Sequence, residues 1–162
     1  MRGGKPERQD AAQAASVRSA DPAEGERLRD IAIAAKAHWG HDLDWVREWA
    51  ARGDFSPRAL RERTAFVAEA DGRVVGWAAV SEHGESAWLD DLWVDPGWMR
   101  RGIGARLFRH AAEHARRLGA ARMEWEAEPN AVGFYERMGA HWVRDQPPNE
   151  WGRVVPVLQV DL

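Results

Sequence analysis

A mixed α/β fold, mostly antiparallel with one parallel crossover near its centre, is what this sequence predicts, and three observations predict it. Asp71-Gly72 separates two apolar runs, 64–70 and 73–80. An Asp-Gly pair between such runs is a strong hairpin signal, because both turn positions favour positive φ. Ile103, Leu107, Ala111, Ala115 and Leu118 recur at helical spacing just after a strand-like run, 88–94. A further apolar run at 121–127 follows that helix, and a strand, a crossover helix and a second strand pair in parallel.

In chain order, residues 1–14 are polar and aperiodic and read as a flexible arm ahead of a single domain, 15–162. Residues 16–18 form a first strand. Asp21 is a good N-cap and Pro22 suits a first helical position, so a helix begins there. Leu28, Ile31, Ala32 and Ala35 give it an apolar face, and Trp39-Gly40 ends it. A second helix, 43–52, sets Trp45 and Trp49 on one face, and 56–63 is a short helical turn. Residues 83–85 link the hairpin to the strand 88–94, which carries the adjacent carboxylates Asp90 and Asp91. Gly119 caps the long helix. A short helix then runs from Glu128-Pro129-Asn130 to Met138, with Gly139 ending it. Strands 140–143 and 154–160 finish the chain, with a Pro-Pro-Asn loop between them.

Composition removes whole classes of function. The 162 residues carry a net charge of −3, so nothing general draws the chain to nucleic acid or an anionic membrane. There is no cysteine, which excludes disulfides, cysteine nucleophiles and thiolate metal sites. No apolar stretch is long enough to span a bilayer and no secretion leader is visible, so a cytoplasmic protein is expected.

The segment 95–105 reads as an anion-binding turn. Gly102 and Gly104 fall in the first turn of the long helix, where the first N–H groups lack intrahelical acceptors and the macrodipole is positive. Glycine admits a phosphate close to that backbone, and Arg100 and Arg101 add positive charge. Ala105-Arg106 follows Gly104, so the Gly-Lys-Ser/Thr ending of a P-loop is absent. Leu107 stands where a dinucleotide fingerprint needs a third glycine or alanine.

The run Met99-Arg100-Arg101-Gly102-Ile103-Gly104-Ala105, placed between strand and helix, resembles the coenzyme A loop of the GNAT acetyltransferase superfamily, Gln/Arg-x-x-Gly-x-Gly/Ala. Met99 stands where Gln or Arg is usual. Glu128-Pro129-Asn130-Ala131-Val132-Gly133-Phe134-Tyr135, running on to Gly139-Ala140, resembles the second GNAT signature, with Glu128 where Asn is usual and Asn130 able to supply the polar contact instead. The likeness covers about 16–162. Residues 36–40, Lys-Ala-His-Trp-Gly, resemble a bacterial GNAT subgroup whose acceptor is unassigned. The resemblance implies a mostly antiparallel central sheet, splayed between its fourth and fifth strands and flanked by helices. It also implies acetyl-CoA as co-substrate, with no metal. Residues 99–105, together with Asn130 and Phe134, are expected to hold coenzyme A. The fourth-strand residues Leu92, Trp93 and Val94 are expected to pair with pantetheine and polarise the acetyl carbonyl.

Acetyl transfer to an amine needs a base, because an alkylamine of pKa near about 10.4 is protonated at neutral pH. Asp90 matches an acidic residue that some relatives use as that base. It shares a strand face with Trp88, Leu92 and Val94. Asp91 faces the other way, to orient the acceptor or serve the fold. A structural reading of both, as carboxylates tolerated where the sheet opens, stands beside this one. Tyr135 matches the family tyrosine that protonates the departing thiolate; a Phe-Tyr pair on a short helix also suits core packing. His110 and His114, four apart, have metal-ligand spacing without an evident third ligand and read as packed histidines. Trp39, His41, Trp45 and Trp49 lie in helices that border the acceptor cleft in this fold, though aromatics so spaced also build cores. Arg153 either binds an acceptor carboxylate or ties a loop.

These readings converge on an acetyl-CoA-dependent N-acetyltransferase in which the amine attacks directly in a ternary complex, a small-molecule amine being favoured. The alternatives are a protein lysine or N-terminal acetyltransferase and a catalytically silent acetyl-CoA-binding regulator. A homodimer is among the assembly states open to it. His38 and His41 stand as the next base candidates after Asp90.

Overall fold

Asp21 begins the first helical segment much as its sequence suggests. Its carboxylate accepts from Ala23 N at 2.8 Å while Glu24 accepts from Asp21 N at 2.8 Å, a reciprocal capping box. The first turn, Pro22–Glu24, winds as a 3-10 turn and leads into α1, Gly25–His38. This computed structural model describes residues 15–162, so the arm expected at 1–14 lies outside the described residues. Helices α2 (Leu43–Ala51) and α3 (Pro57–Glu62) follow, capped by Asp42 and Ser56.

Seven strands form one open mixed sheet, flanked by helices: β1 (Ser16–Ser19), β2 (Thr64–Ala70), β3 (Arg73–His83), β4 (Ser86–Val94), β5 (Arg122–Glu126), β6 (His141–Asp145) and β7 (Pro156–Asp161), hydrogen-bonded in the order β1-β2-β3-β4-β5-β7-β6. β1 with β2, β5 with β7 and β6 with β7 are antiparallel. β4 and β5 are parallel through the crossover helix α4, Ile103–Arg117. Their ladder takes in Ser86, Ala87 and Trp88 and stops well before β4 ends at Val94, which is the splay the resemblance implies. A short helix, α5 (Val132–Arg137), is entered through a 3-10 turn at Pro129–Ala131.

Several element bounds differ from expectation for local reasons. β3 continues to His83 because Gly84, at φ 69°, turns the chain there, and Ser86 Oγ donates to His83 O at 3.2 Å. Leu118 leaves the apolar stripe of α4. Ile103, Leu107, Ala111 and Ala115 are buried, whereas Leu118 is 54% exposed. The helix stops at Arg117, Gly119 enters the left-handed region at φ 96° and Ala120 N returns to Ala115 O at 3.1 Å.

The chain divides into two compact units. The first comprises, among the described residues, 15–79 and Asp91–His110. Leu28, Ile31, Ala32, Leu60, Ala65, Val67, Val74, Trp77 and Ala79 form its core, with Trp49, Phe55 and Trp93 packed against it. A Cβ on Gly25 would lie 1.9 Å from Phe55 O, so α1 meets the segment before α3 backbone to backbone. Arg18 holds β1 to its neighbours, with Nη2 2.6 Å from Glu24 and Nε 2.8 Å from Glu69. The hydrogen bond from Arg18 keeps the Glu24 carboxyl below its usual range, helped by the Asp21 amide. The second unit, Val80–Asp90 and Ala111–Leu162, buries Met123, Trp125, Tyr135, Val157 and Leu158. Among the described residues no helix is long and apolar enough to cross a membrane.

Candidate active site

The expected anion-binding turn begins where β4 ends. Asp95 N donates to Val75 O at 2.8 Å, and the Asp95 carboxylate accepts from Gly97 N at 3.0 Å. Arg27 on α1 clamps the same point. Its Nη2 lies 2.9 Å from Asp95 Oδ2, and its Nε donates to Val74 O at 3.0 Å. A 3-10 turn, Pro96–Trp98, follows, and then Met99 in extended conformation. Arg100 and Gly102 both adopt positive φ, 61° and 80°. A non-glycine residue there is strained, and Gly102 relieves the second such position. Arg106 N donates to Gly102 O at 3.1 Å, which makes Gly102 the N-cap of α4. The amides of 102–105 are therefore the first-turn donors that the helix itself cannot use. Buried Ile103 anchors that turn. A Cβ on Gly76 of β3 would stand 3.0 Å from Leu107 Cδ1, 3.0 Å from Trp93 O and 3.4 Å from Ile103 Cγ2. The guanidinium of Arg101 lies 4.7 Å from the Trp98 ring, a cation–π contact that directs it. This cradle of amides, positive dipole and arginine fits a pyrophosphate.

Next to the loop along β4, the first unit gathers a second group of side chains. Asp91 accepts from Trp93 Nε1 at 2.9 Å and is ion-paired with Arg63. Their side chains are 18% and 29% exposed, so this is a half-buried pair. The Arg63 guanidinium also lies 5.7 Å from the Trp77 ring, and Trp77 Nε1 donates to Leu28 O at 2.8 Å. Trp93 meets Trp49 edge to face at 5.4 Å. The Lys36 ammonium stands 5.2, 4.6 and 5.6 Å from the rings of Trp45, Trp49 and Trp93. His41 packs on Trp45 at 5.1 Å, and Trp39, 36% exposed, sits edge-on to His38 at 5.2 Å.

The other expected residues, His110 apart, belong to the second unit. Asp90 is exposed and accepts from Ser81 Oγ at 3.2 Å; the same hydroxyl is 3.3 Å from His83 Nε2. Tyr135 is buried, 7% exposed, with Trp125 at 4.9 Å and Phe134 at 5.1 Å. Asn130 Nδ2 donates to Glu128 Oε1 at 3.1 Å. Arg153 lies 3.6 Å from Glu128 Oε2, and its amide donates to Asn149 Oδ1 at 3.0 Å. Arg153 and Asn130 thus meet on the Glu128 carboxylate. Of the two helix histidines, His110 packs edge-on to Phe66 at 4.5 Å and His114 lies 3.8 Å from Glu82.

Sequence reasoning did not single out Arg27, Arg63, Ser81 or His83, and it used Lys36 only within a resemblance. Each acts through a partner distant in the chain or on a neighbouring strand. Only the Ser81–His83 spacing, two apart on one strand face, offered a local signal.

Known proteins resemble this chain in sequence and in fold. Streptothricin acetyltransferase of Streptomyces lavendulae is 42% identical over 86 residues, which covers 48% of this chain and 43% of that protein. The chain thus spans under half the length of this relative. Peptidyl-lysine N-acetyltransferase YjaB of Salmonella typhimurium is 29% identical over 154 residues, covering 90% of this chain and 96% of the relative. The crystal structure of PaiA N-acetyltransferase from Thermoplasma acidophilum, in complex with coenzyme A, superposes with a TM-score of 0.76 at 18% identity, covering 91% and 99% of the two chains. The family model for the acetyltransferase (GNAT) family matches residues 26–140, which hold both the amide-lined turn and the Tyr135 segment, and the chain belongs to that family.

Proposed function

We propose that this chain is an acetyl-CoA-dependent N-acetyltransferase, with 15–162 acting as one catalytic domain. An acceptor amine attacks directly while both substrates are held, and a small-molecule primary amine is the favoured acceptor. The single observation that carries the reading is the first turn of α4, where Arg100 and Gly102 at positive φ leave the amides of 102–105 unused by the helix. The named relatives support it: one acts on streptothricin, and one neighbour was crystallised with coenzyme A.

When bound, acetyl-CoA would supply the acetyl group as an activated thioester. The amides of 102–105 and the Arg101 guanidinium hold the pyrophosphate, and Asn130 and Phe134 add contacts to the cofactor. The backbone of Leu92, Trp93 and Val94 orients the pantetheine arm and receives developing charge at the carbonyl. Asp90 takes the ammonium proton at a carboxylate oxygen, directly or through one water. Its exposure and its Ser81 hydroxyl partner suit a group that must exchange protons with solvent. Tyr135 delivers its hydroxyl proton to the leaving sulfur. No cysteine is present to carry an acetyl-enzyme, so proximity in a ternary complex is the economical route.

A protein lysine is the second reading, favoured by the relative named for peptidyl-lysine, whose match extends over 90% of this chain. A panel of amines assayed by thiol release tests both. Turnover of a free amine at rates matching a lysine peptide supports the first, turnover of peptides alone supports the second, and coenzyme A binding without any turnover indicates a silent regulator.

A further inference from the structure

Three indoles converge on one ammonium in the first unit, and that ammonium belongs to the chain itself. Lys36 Nζ stands 4.6 Å from the Trp49 ring, 5.2 Å from Trp45 and 5.6 Å from Trp93. Indole faces attract cations more strongly than other aromatic rings, and several rings around one charge are the way proteins recognise alkylammonium groups. All four side chains are partly exposed, so solvent and solutes reach the cluster.

Two of the walls, Trp49 and Trp93, are held by groups other than Lys36. The Trp93 indole donates to Asp91 at 2.9 Å, Asp91 is held by Arg63, and Trp49 is braced edge to face against Trp93 at 5.4 Å. Trp49 and Trp93 also pack on the core. Lys36, by contrast, reaches the rings on a flexible four-carbon stem from the last turn of α1. Two of the three walls are thus held by groups of their own, and the cation between them is carried on a flexible stem. Trp93 moreover is the middle one of the three β4 residues whose backbone is assigned to the thioester arm, about 3.3 Å along the strand from Leu92 and from Val94.

We propose that the Trp45–Trp49–Trp93 cage is the specificity site for the acceptor, and that it binds a second cationic group, an ammonium or guanidinium, of a dicationic amine in place of Lys36. The inference rests on the N-acetyltransferase reading for its role, and on the indole geometry alone for the binding. Lys36 acts as a resident surrogate that keeps the cage filled until a competing cation arrives. A monoamine whose one amine stands at the thioester has no second cation left for the cage.

Two measurements test this separately. In the first, without acetyl-CoA, tetramethylammonium is titrated while the indole N–H signals are followed by NMR. Lys36→Met should bind it about five- to tenfold more tightly than the unaltered protein, the scale of one displaced cation–π contact. Trp45→Leu in the Lys36→Met background should abolish that gain, with Trp49→Leu as a second variant and the thermal midpoint confirming that each folds. Equal affinity with and without Lys36, or a gain that survives loss of Trp45 and of Trp49, overturns the cage. In the second, 1,4-diaminobutane and butylamine are compared as acceptors. The diamine should show a kcat/KM at least about tenfold higher, and Trp45→Leu should erase the preference through KM. A ratio near one in the unaltered protein overturns the specificity role. If neither amine nor any other is acetylated, the catalytic reading falls, and the titration still decides whether the cage takes a cation.

Discussion

Arg63 and Asp91, 28 positions apart, form an ion pair that gives the carboxylate next to Asp90 surroundings distinct from its neighbour's. Asp91 has one oxygen on Arg63 and the other on the Trp93 indole, whereas Asp90 is exposed beside the Ser81 hydroxyl. Removing the Asp91 charge leaves a half-buried guanidinium short of its partner. Asp91→Asn should therefore lower stability by about 1–2 kcal/mol, seen as a lower denaturant midpoint, without reshaping the pH–rate profile. Asp90→Asn should do the opposite. Its stability should hold, while activity at neutral pH drops and recovers toward about pH 10, where the acceptor amine is already neutral. A larger, pH-dependent loss from Asp91→Asn would move the base to that residue.

The first turn of α4 makes a second prediction. Gly104→Glu places a carboxylate among the amides of 102–105, where the proposed reading puts the pyrophosphate. Coenzyme A affinity measured by calorimetry should drop by at least about a hundredfold, like charge and bulk acting together. Unchanged affinity would take the cofactor away from this loop.

Gly76 sets how closely β3 can approach β4 and the start of α4. An added methyl would meet Leu107 Cδ1 and Trp93 O, each at 3.0 Å. Leu107 can rotate, but the Trp93 carbonyl is strand backbone and cannot. Gly76→Ala should cost about 1–3 kcal/mol of stability, the range of core overpacking, and the thermal midpoint should fall with it. Full stability would mean that β4 yields more easily than a strand backbone should.

What was legible in the sequence was what depends on near neighbours. Asp71-Gly72 does turn the hairpin, with φ of 51° and 72°, because the required backbone is a property of those two residues. The α4 turn was readable for the same reason, since glycine placement and helical spacing are local. The Arg63–Asp91 pair, the Arg27 clamp on Asp95, 68 positions away, and the Lys36 cage were not. Each joins elements that only tertiary packing brings together, and any of several arginines could have served. Leu118 misled because a residue three after Ala115 continues a stripe only if the helix does, and Gly119 stops it. The Glu128 departure from the family pattern became intelligible only once Arg153 stood at 3.6 Å.

Acid should unfold the β1 corner in a way that depends on Arg18. The hydrogen bond from Arg18 holds the Glu24 carboxyl below its ordinary value in the folded state. A depressed folded pKa stabilises the protein above the unfolded carboxylate pKa, and that stabilisation is lost as pH falls through the folded value. The thermal midpoint should therefore decline between about pH 5 and pH 3, and Arg18→Met should decline less steeply over the same range because Glu24 loses its partner. Parallel declines would show that Glu24 does not report on this corner.

Tyr135 offers the sharpest separation of packing from chemistry. Its ring is buried between Trp125 and Phe134, at 4.9 and 5.1 Å. Tyr135→Phe keeps that ring and removes a single oxygen, so the aromatic contacts survive and stability should change by no more than about 1 kcal/mol. If the hydroxyl protonates the leaving sulfur, kcat should fall by roughly one to three orders of magnitude with the affinity for coenzyme A nearly intact. A transition-state role predicts a loss in kcat and in kcat/KM together, whereas a disturbed cofactor site would raise KM first. Measuring both constants from about pH 6 to pH 9, with the thermal midpoint as control, distinguishes them. An unaltered kcat across that range would make Tyr135 a core residue and leave water to protonate the thiolate.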